Sequence, residues 1–204
     1  MDPREHWRTV YATKSPEEVS WFEAEAGASL QALRRLQVKP DMAIVDIGAG
    51  ASRLADALLD LGFTDITLLD IADSALDASR ARLGALAGRV SWQVADVREW
   101  RPEQSFDVWH DRAVFHFLTT PEDQARYLDH LHAVLKARGS AIIATFAPDG
   151  PEKCSGLPVA RYSPESLAKR LGSAFTLAES RRHVHQTPWG SSQPFQYSRF
   201  RRVH

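Results

Sequence analysis

The chain has 204 residues, 44% apolar and 25% charged, which suits one globular domain with a sizeable core. Its formal net charge is −1, from 25 basic and 26 acidic side chains, so it lacks a long-range field for nucleic acid or an anionic membrane surface. A single cysteine, Cys154, rules out an internal disulfide, and the expectation is a reducing, cytoplasmic setting.

The amino terminus, MDPREHWRTVY, is charged and has no apolar core of leader length. Residues 1–40 are expected to form a helical extension that packs on the domain or closes over a site as a lid. Trp7, Tyr11, Trp21 and Phe22 are too many large aromatics for a loose tail. Ser15-Pro16-Glu17-Glu18 has a capping Ser, a Pro at the first helical position and acids in the first turn, which predicts a helix running on through residues 20–27. A second helix is expected over 29–36, with Leu30, Leu33 and Leu36 at helical spacing.

From residue 41 onward, strands and helices alternate. The short, continuously apolar run at 42–47 reads as a strand buried on both faces, and further strands are expected at 65–70, 89–95, 105–110 and 140–146. Helices are expected over 52–61, with Leu54, Leu58 and Leu61 on one face, over 74–86, over 121–136, where Gly139 ends the last of them, and over 163–171. The pattern predicts an α/β, doubly wound, mostly parallel sheet with right-handed crossovers. Two final strands, 174–183 and 195–203, have only a turn between them, so they must pair antiparallel. Five strands and this hairpin make a seven-stranded sheet.

The chemistry centres on Ala43–Leu54, AIVDIGAGASRL. Gly48 and Gly50 let the backbone turn tightly and approach a ligand beyond a strand end and beside a helix start. Acids stand at three successive strand ends: Asp46, Asp70 and Asp96. Asp70, followed by Ile71, lies where a carboxylate accepts from ribose hydroxyls. Asp96 and the Val97 amide are placed to meet an adenine. A dinucleotide loop would carry a third glycine where Arg53 stands, so a cofactor without a pyrophosphate fits better.

The segments VDIGAGASRLA, LLDIADSAL, VADVREW and FDVWHDRA, with the final hairpin, together resemble class I S-adenosylmethionine-dependent methyltransferases. The resemblance covers nearly everything from residue 40 and implies a Rossmann-like fold. It implies that Gly48 and Gly50 approach the methionine part of the cofactor, that Asp70 binds the ribose, and that Asp96 with Val97 binds the adenine. His110 and Asp111 would then lie beside the transferring methyl, with Asp46, Ile71 and His110 completing the cofactor set. Within the class, Trp7-x-x-x-Tyr11, Ser20-Trp21-Phe22 and the position of His110-Asp111-Arg112 are similar to small protein-lysine methyltransferases. Those enzymes typically carry Asp-Lys-Gly, whereas this chain has Asp111-Arg112-Ala113.

For catalysis the candidates are His110, Asp111 and His116, because histidine titrates near neutrality and can take a proton. His116 reads equally as a packed core residue, and Asp111 as a shaper of the cofactor end. Tyr11, Trp21, Phe22, Arg112 and Cys154 are candidate substrate or lid residues, and Lys153 beside Cys154 is expected to lower the thiol pKa. No metal site is expected. The arginines on the final hairpin read as a solvated face. The expected function is methyl transfer to a small nucleophile, with a sulfur acceptor preferred. The alternatives are protein-lysine methylation and a non-catalytic cofactor-binding partner protein.

Overall fold

A computed structural model describes residues 2–204. Seven strands form one sheet in the order β3-β2-β1-β4-β5-β9-β8. They are β1 (Ile44–Ile47), β2 (Ile66–Asp70), β3 (Ser91–Val94), β4 (Phe106–Arg112), β5 (Leu135–Phe146), β8 (Phe175–Gln186) and β9 (Ser192–Arg202). β1 to β5 are parallel, and β9 pairs antiparallel with both β5 and β8. A two-residue ladder, β6 (Lys153–Cys154) against β7 (Leu157–Pro158), stands apart as a small hairpin. The doubly wound sheet with an antiparallel end is therefore as the alternation predicts. Among the described residues no helix is long and apolar enough to cross a membrane.

Side chains alternate between the two faces of each strand. Ile44, Leu68, Val108 and Ile142 face one core with Leu33, Leu54 and Leu58, from the helices α2 (Gly27–Arg35) and α3 (Leu54–Asp60). Val45, Ile47, Trp109 and Ile143 face the other, with Tyr127, Leu131 and Leu167 from α5 (Pro121–Val134) and α6 (Pro164–Leu171). α4 (Asp73–Leu83) completes the first layer through Leu76 and Leu83. The order reverses between β1 and β4, and at their carboxyl ends a crevice opens.

Several elements depart from expectation, each for a local reason. Within the helical extension expected over 1–40, the first helix, α1 (Pro3–Thr13), has bounds that were not foreseen: the Asp2 carboxylate accepts from the Arg4 amide at 3.0 Å, Pro3 is the first helical residue and Glu5 lies in the first turn. The helix expected from Pro16 through residue 27 is only a single turn, Pro16–Glu18. Beyond it, side chains from the sheet claim the main-chain carbonyls: His185 Nε2 lies 2.8 Å from the Ser20 oxygen, and Arg112 Nη1 donates to Trp21 at 3.1 Å. β4 runs two residues past the expected His110, because Asp111 and Arg112 stay in register with Ile143 and Ala144. Gly139 does not end α5. The helix already stops at Val134, and Gly139 lies inside β5, where a side chain would meet the Lys136 carbonyl.

Leu61 was expected on the buried face of α3, but it is 45% exposed while Leu58 is fully buried. Leu58→Ala should therefore cost about 2–5 kcal/mol and Leu61→Ala less than about 0.5 kcal/mol, read from urea unfolding midpoints.

Candidate active site

The crevice holds a cavity of about 210 Å³. At one end lie Asp96, Val97, Arg98 and Asp123, in the middle Gly48, Asp70 and Ile71, and at the other Trp7, Trp21, Phe117, Cys154, Leu157, Gln193 and Phe195. A smaller cavity of about 70 Å³ adjoins it, sharing Gly48, Tyr11, Trp21 and Arg112, and adding Asp46, Arg53, Phe22 and His110.

The glycine loop is built as its residues require. Gly48 and Gly50 have φ of +63° and +52°, a region that side chains rarely adopt. The space a side chain would need is also taken, by a Val114 methyl at Gly48 and by the Tyr11 hydroxyl at Gly50. Asp70 holds the loop: its carboxylate accepts from the Gly50 amide and the Ala72 amide, both at 2.9 Å. Burial pushes this carboxyl up to about 6, with the Asp46 carboxylate adding to the effect and the two amides opposing it. Each oxygen keeps a lone pair for a further donor.

At the far end, Asp96 is ion-paired to Arg98 at 2.5 Å, and Arg98 reaches Asp123 in the first turn of α5 at 2.7 Å. Burial opposes ionisation of Asp96, and the Arg98 guanidinium overrides it, holding the carboxyl below its ordinary value. The side chain expected at the adenine is thus already engaged. The Asp96–Arg98–Asp123 bridge was missed in the sequence, where its only signal is an arginine two residues after a strand-end acid.

The three catalytic candidates do not come together in the main cavity. Strand alternation sends His110 and Asp111 to opposite faces of the sheet. His110 is buried, with Nδ1 2.6 Å from Asp46 and Nε2 2.9 Å from Ser29 Oγ on α2. Asp111, fully buried on the other face, accepts from the Val114 and Phe115 amides at 2.8 and 3.1 Å and from the Tyr127 hydroxyl at 2.5 Å. It secures the turn that sets Val114 against Gly48. Burial pushes its carboxyl up to about 6. His116 is fully buried among Phe117, Phe146 and Phe195, and its imidazole is pushed down to about 3 by burial, with the Arg112 charge adding to the effect. It is neutral at pH 7 and has no face on the cavity. This corrects the expectation of a proton-accepting histidine at His116, while His110 is engaged by Asp46 and Ser29.

The lid and substrate candidates fare differently. Tyr11, Trp21, Arg112 and Cys154 all line the main cavity, whereas Phe22 does not and lines the smaller one beside it. Trp7 stacks edge-on against Trp21 at 5.6 Å and Phe117 at 5.0 Å, so α1 forms the roof. Burial and the Asp70 carboxylate hold the Tyr11 phenol above its usual value, so it stays protonated. Cys154 is also buried, with Sγ 3.9 Å from Ser20 Oγ, and burial pushes its thiol up. That reverses the activation expected from Lys153. Among the described residues no cluster of His, Cys, Asp and Glu could hold a metal ion.

A doubly wound sheet with an antiparallel end, a glycine loop at its switch point and a strand-end carboxylate beneath that loop define a cofactor-binding domain of the adenosyl type. Residues 44–139 match the family profile described as a methyltransferase domain. The mouse (Mus musculus) eEF1A lysine and N-terminal methyltransferase is 23% identical over 152 residues, 70% of this chain and 21% of that one. The chain thus spans about a fifth of the length of the curated relatives it matches. In fold, it is similar to a structure described under conversion of a disulfide bond into a thioacetal group during echinomycin biosynthesis, with a TM-score of 0.79, 20% identity and coverage of 98% of this chain and 92% of that one. It is also similar to the Burkholderia thailandensis 1,6-didemethyltoxoflavin-N1-methyltransferase bound to 1,6-didemethyltoxoflavin and S-adenosylhomocysteine, with a TM-score of 0.72, 22% identity and coverage of 98% and 84%.

Residues 44–139 thus carry a match to a methyltransferase domain, on the fold of S-adenosylmethionine-dependent methyltransferases. The residues fit S-adenosylmethionine: Asp70 lines the cavity, and each of its carboxylate oxygens can accept a further hydrogen bond.

Ribose hydroxyls bind a carboxylate better than a carboxylic acid. With the Asp70 pKa raised to about 6, cofactor affinity should be full at pH 7.5 and fall about tenfold by pH 5. The sign is opposite for the free protein, whose stability gains from this raised carboxyl below its unfolded pKa and loses that gain as pH rises through about 6. Calorimetric titration of S-adenosylhomocysteine should show both the acid fall and, for Asp70→Asn, a weak affinity that no longer varies with pH.

Proposed function

We propose that the protein methylates a small-molecule nucleophile, with a sulfur acceptor preferred. The observation that carries this reading is the shape and lining of the cavity beyond Gly48: Trp7, Trp21, Phe117, Leu157 and Phe195 wall it, and α1 roofs it. Such a chamber suits a compact, partly aromatic guest and leaves little room for a folded protein surface.

When bound, S-adenosylmethionine supplies an activated methyl group and a neutral leaving group. The chain's residues then have to align the nucleophile and keep water out. The aromatic walls and Tyr11 do the second. For the first, no unengaged carboxylate or imidazole is among the residues lining the acceptor end. A nucleophile that loses its proton easily in water, such as a thiol, needs no base from the protein, whereas an alcohol does. The buried, unpaired Cys154 suits a reducing, cytoplasmic setting, and the net charge of −1 suits a small guest over a nucleic acid.

With cofactor labelled in its methyl group and cell extract as the source of acceptors, label should pass into the ultrafiltrate and, among defined compounds, into thiols before alcohols. A discrete labelled protein band with an unlabelled ultrafiltrate would favour protein-lysine methylation instead. Tight cofactor binding with no transfer to either fraction would favour a non-catalytic partner protein.

A further inference from the structure

Two residues in the wall of the acceptor end have buried polar atoms without hydrogen-bond partners: Arg112, at Nε and Nη2, and Gln193, at Oε1. Leaving such atoms unpaired is costly, and native chains rarely do so without a use. Both residues line the main cavity, among otherwise apolar neighbours. Phe195 stands two residues from Gln193 on β9, on the same strand face, and the Arg112 guanidinium lies over its ring at 5.1 Å. The two polar groups therefore flank one aromatic surface.

The Arg112 fork is fixed from behind. Nη1 donates to the Trp21 carbonyl at 3.1 Å. Nη2 lies 3.0 Å from Glu23 as an ion pair, without the alignment of a hydrogen bond. The edge made by Nε and Nη2 thus keeps donors to offer. That edge matches a carboxylate, which it can hold with two parallel N–H···O bonds. Glu23 also lies 3.6 Å from His185 and 3.9 Å from His183.

We propose that the acceptor of this methyltransferase is a flat, largely apolar molecule bearing a carboxylate, held by the Nε edge of Arg112, with an N–H or O–H of the same molecule donating to Gln193. This rests on the small-molecule reading of the cavity and names the class of molecule it takes. Arg112 and Gln193 are recognition residues here. The proposal assigns neither of them a role in proton transfer.

The test is a matched pair of probes, 3-mercaptobenzoate and 3-mercaptobenzamide, titrated into the full chain saturated with S-adenosylhomocysteine. The acid should bind at least about tenfold more tightly than the amide at pH 7.5, as a charge-assisted pair requires. Arg112→Met should bring the ratio to about one, and Arg112→Lys, which keeps a point charge without the fork, should leave an intermediate ratio. Thermal melting of both variants separates lost recognition from lost fold. Equal affinities in the wild-type protein, no binding of either probe, or an undiminished preference in a folded Arg112→Met chain would overturn the proposal. Methyl transfer is scored separately: label that reaches protein and no small molecule defeats the small-molecule reading even where the acid preference stands.

Discussion

The site depends on one buried carboxylate. Asp70 ends β2 and ties the Gly50 amide of the loop after β1 to the Ala72 amide at the start of α4. Those two hydrogen bonds fix the loop after β1 against the carboxyl end of β2, on one side of the crevice. They also hold Gly50 in its left-handed conformation, where its carbonyl accepts from the Ser79 hydroxyl at 2.9 Å. The Tyr11 hydroxyl then rests where a side chain at Gly50 would be. Loop, strand end and roof thus meet at a single side chain, whose ionisation is opposed by burial.

The rest of the site follows from strand alternation. Because neighbouring residues of β4 point to opposite faces, His110 pairs with Asp46 under α2, while Asp111 pairs with Tyr127 on α5. Each pair braces one layer against the sheet. Arg112, the next residue, returns to the first face at the end of the strand and reaches the cavity. The acceptor end is consequently left with aromatic walls, a thiol, a guanidinium and an amide, and with no free base. In the proposed reaction it aligns the acceptor and excludes water.

Much of this was legible in the sequence. β1 and β2, buried on both faces, appear as apolar runs, and Asp46 within β1, Asp70 at the end of β2 and Asp96 just beyond β3 mark their carboxyl ends. The antiparallel end followed from the missing crossover helix between residues 183 and 195. The N-terminal segment was harder. α1 has few apolar residues, and Trp7 and Tyr11 bury themselves against distant partners such as Phe117 and Gly50, which no local pattern reveals. The capping signal at Ser15–Glu18 was read correctly as a helix start, but Arg112 and His185 draw the following carbonyls away after one turn. The catalytic candidates failed for a similar reason. Residue type at a strand end nominated His110, Asp111 and His116, while partners far along the chain decided which way each side chain was spent. Gln193 and Phe195 gave no signal because their role comes only from facing the crevice across the sheet.

The central claim is that the cofactor sits in the crevice between β1 and β4 with α1 closed over it. Amide hydrogen exchange with and without S-adenosylhomocysteine tests this most directly. Binding should slow exchange both in the glycine loop, residues 48–52, and along α1, residues 3–13, because the ligand fills the space between them. Protection of the loop with α1 unchanged would contradict the closed roof, and no protection of either would contradict the site itself.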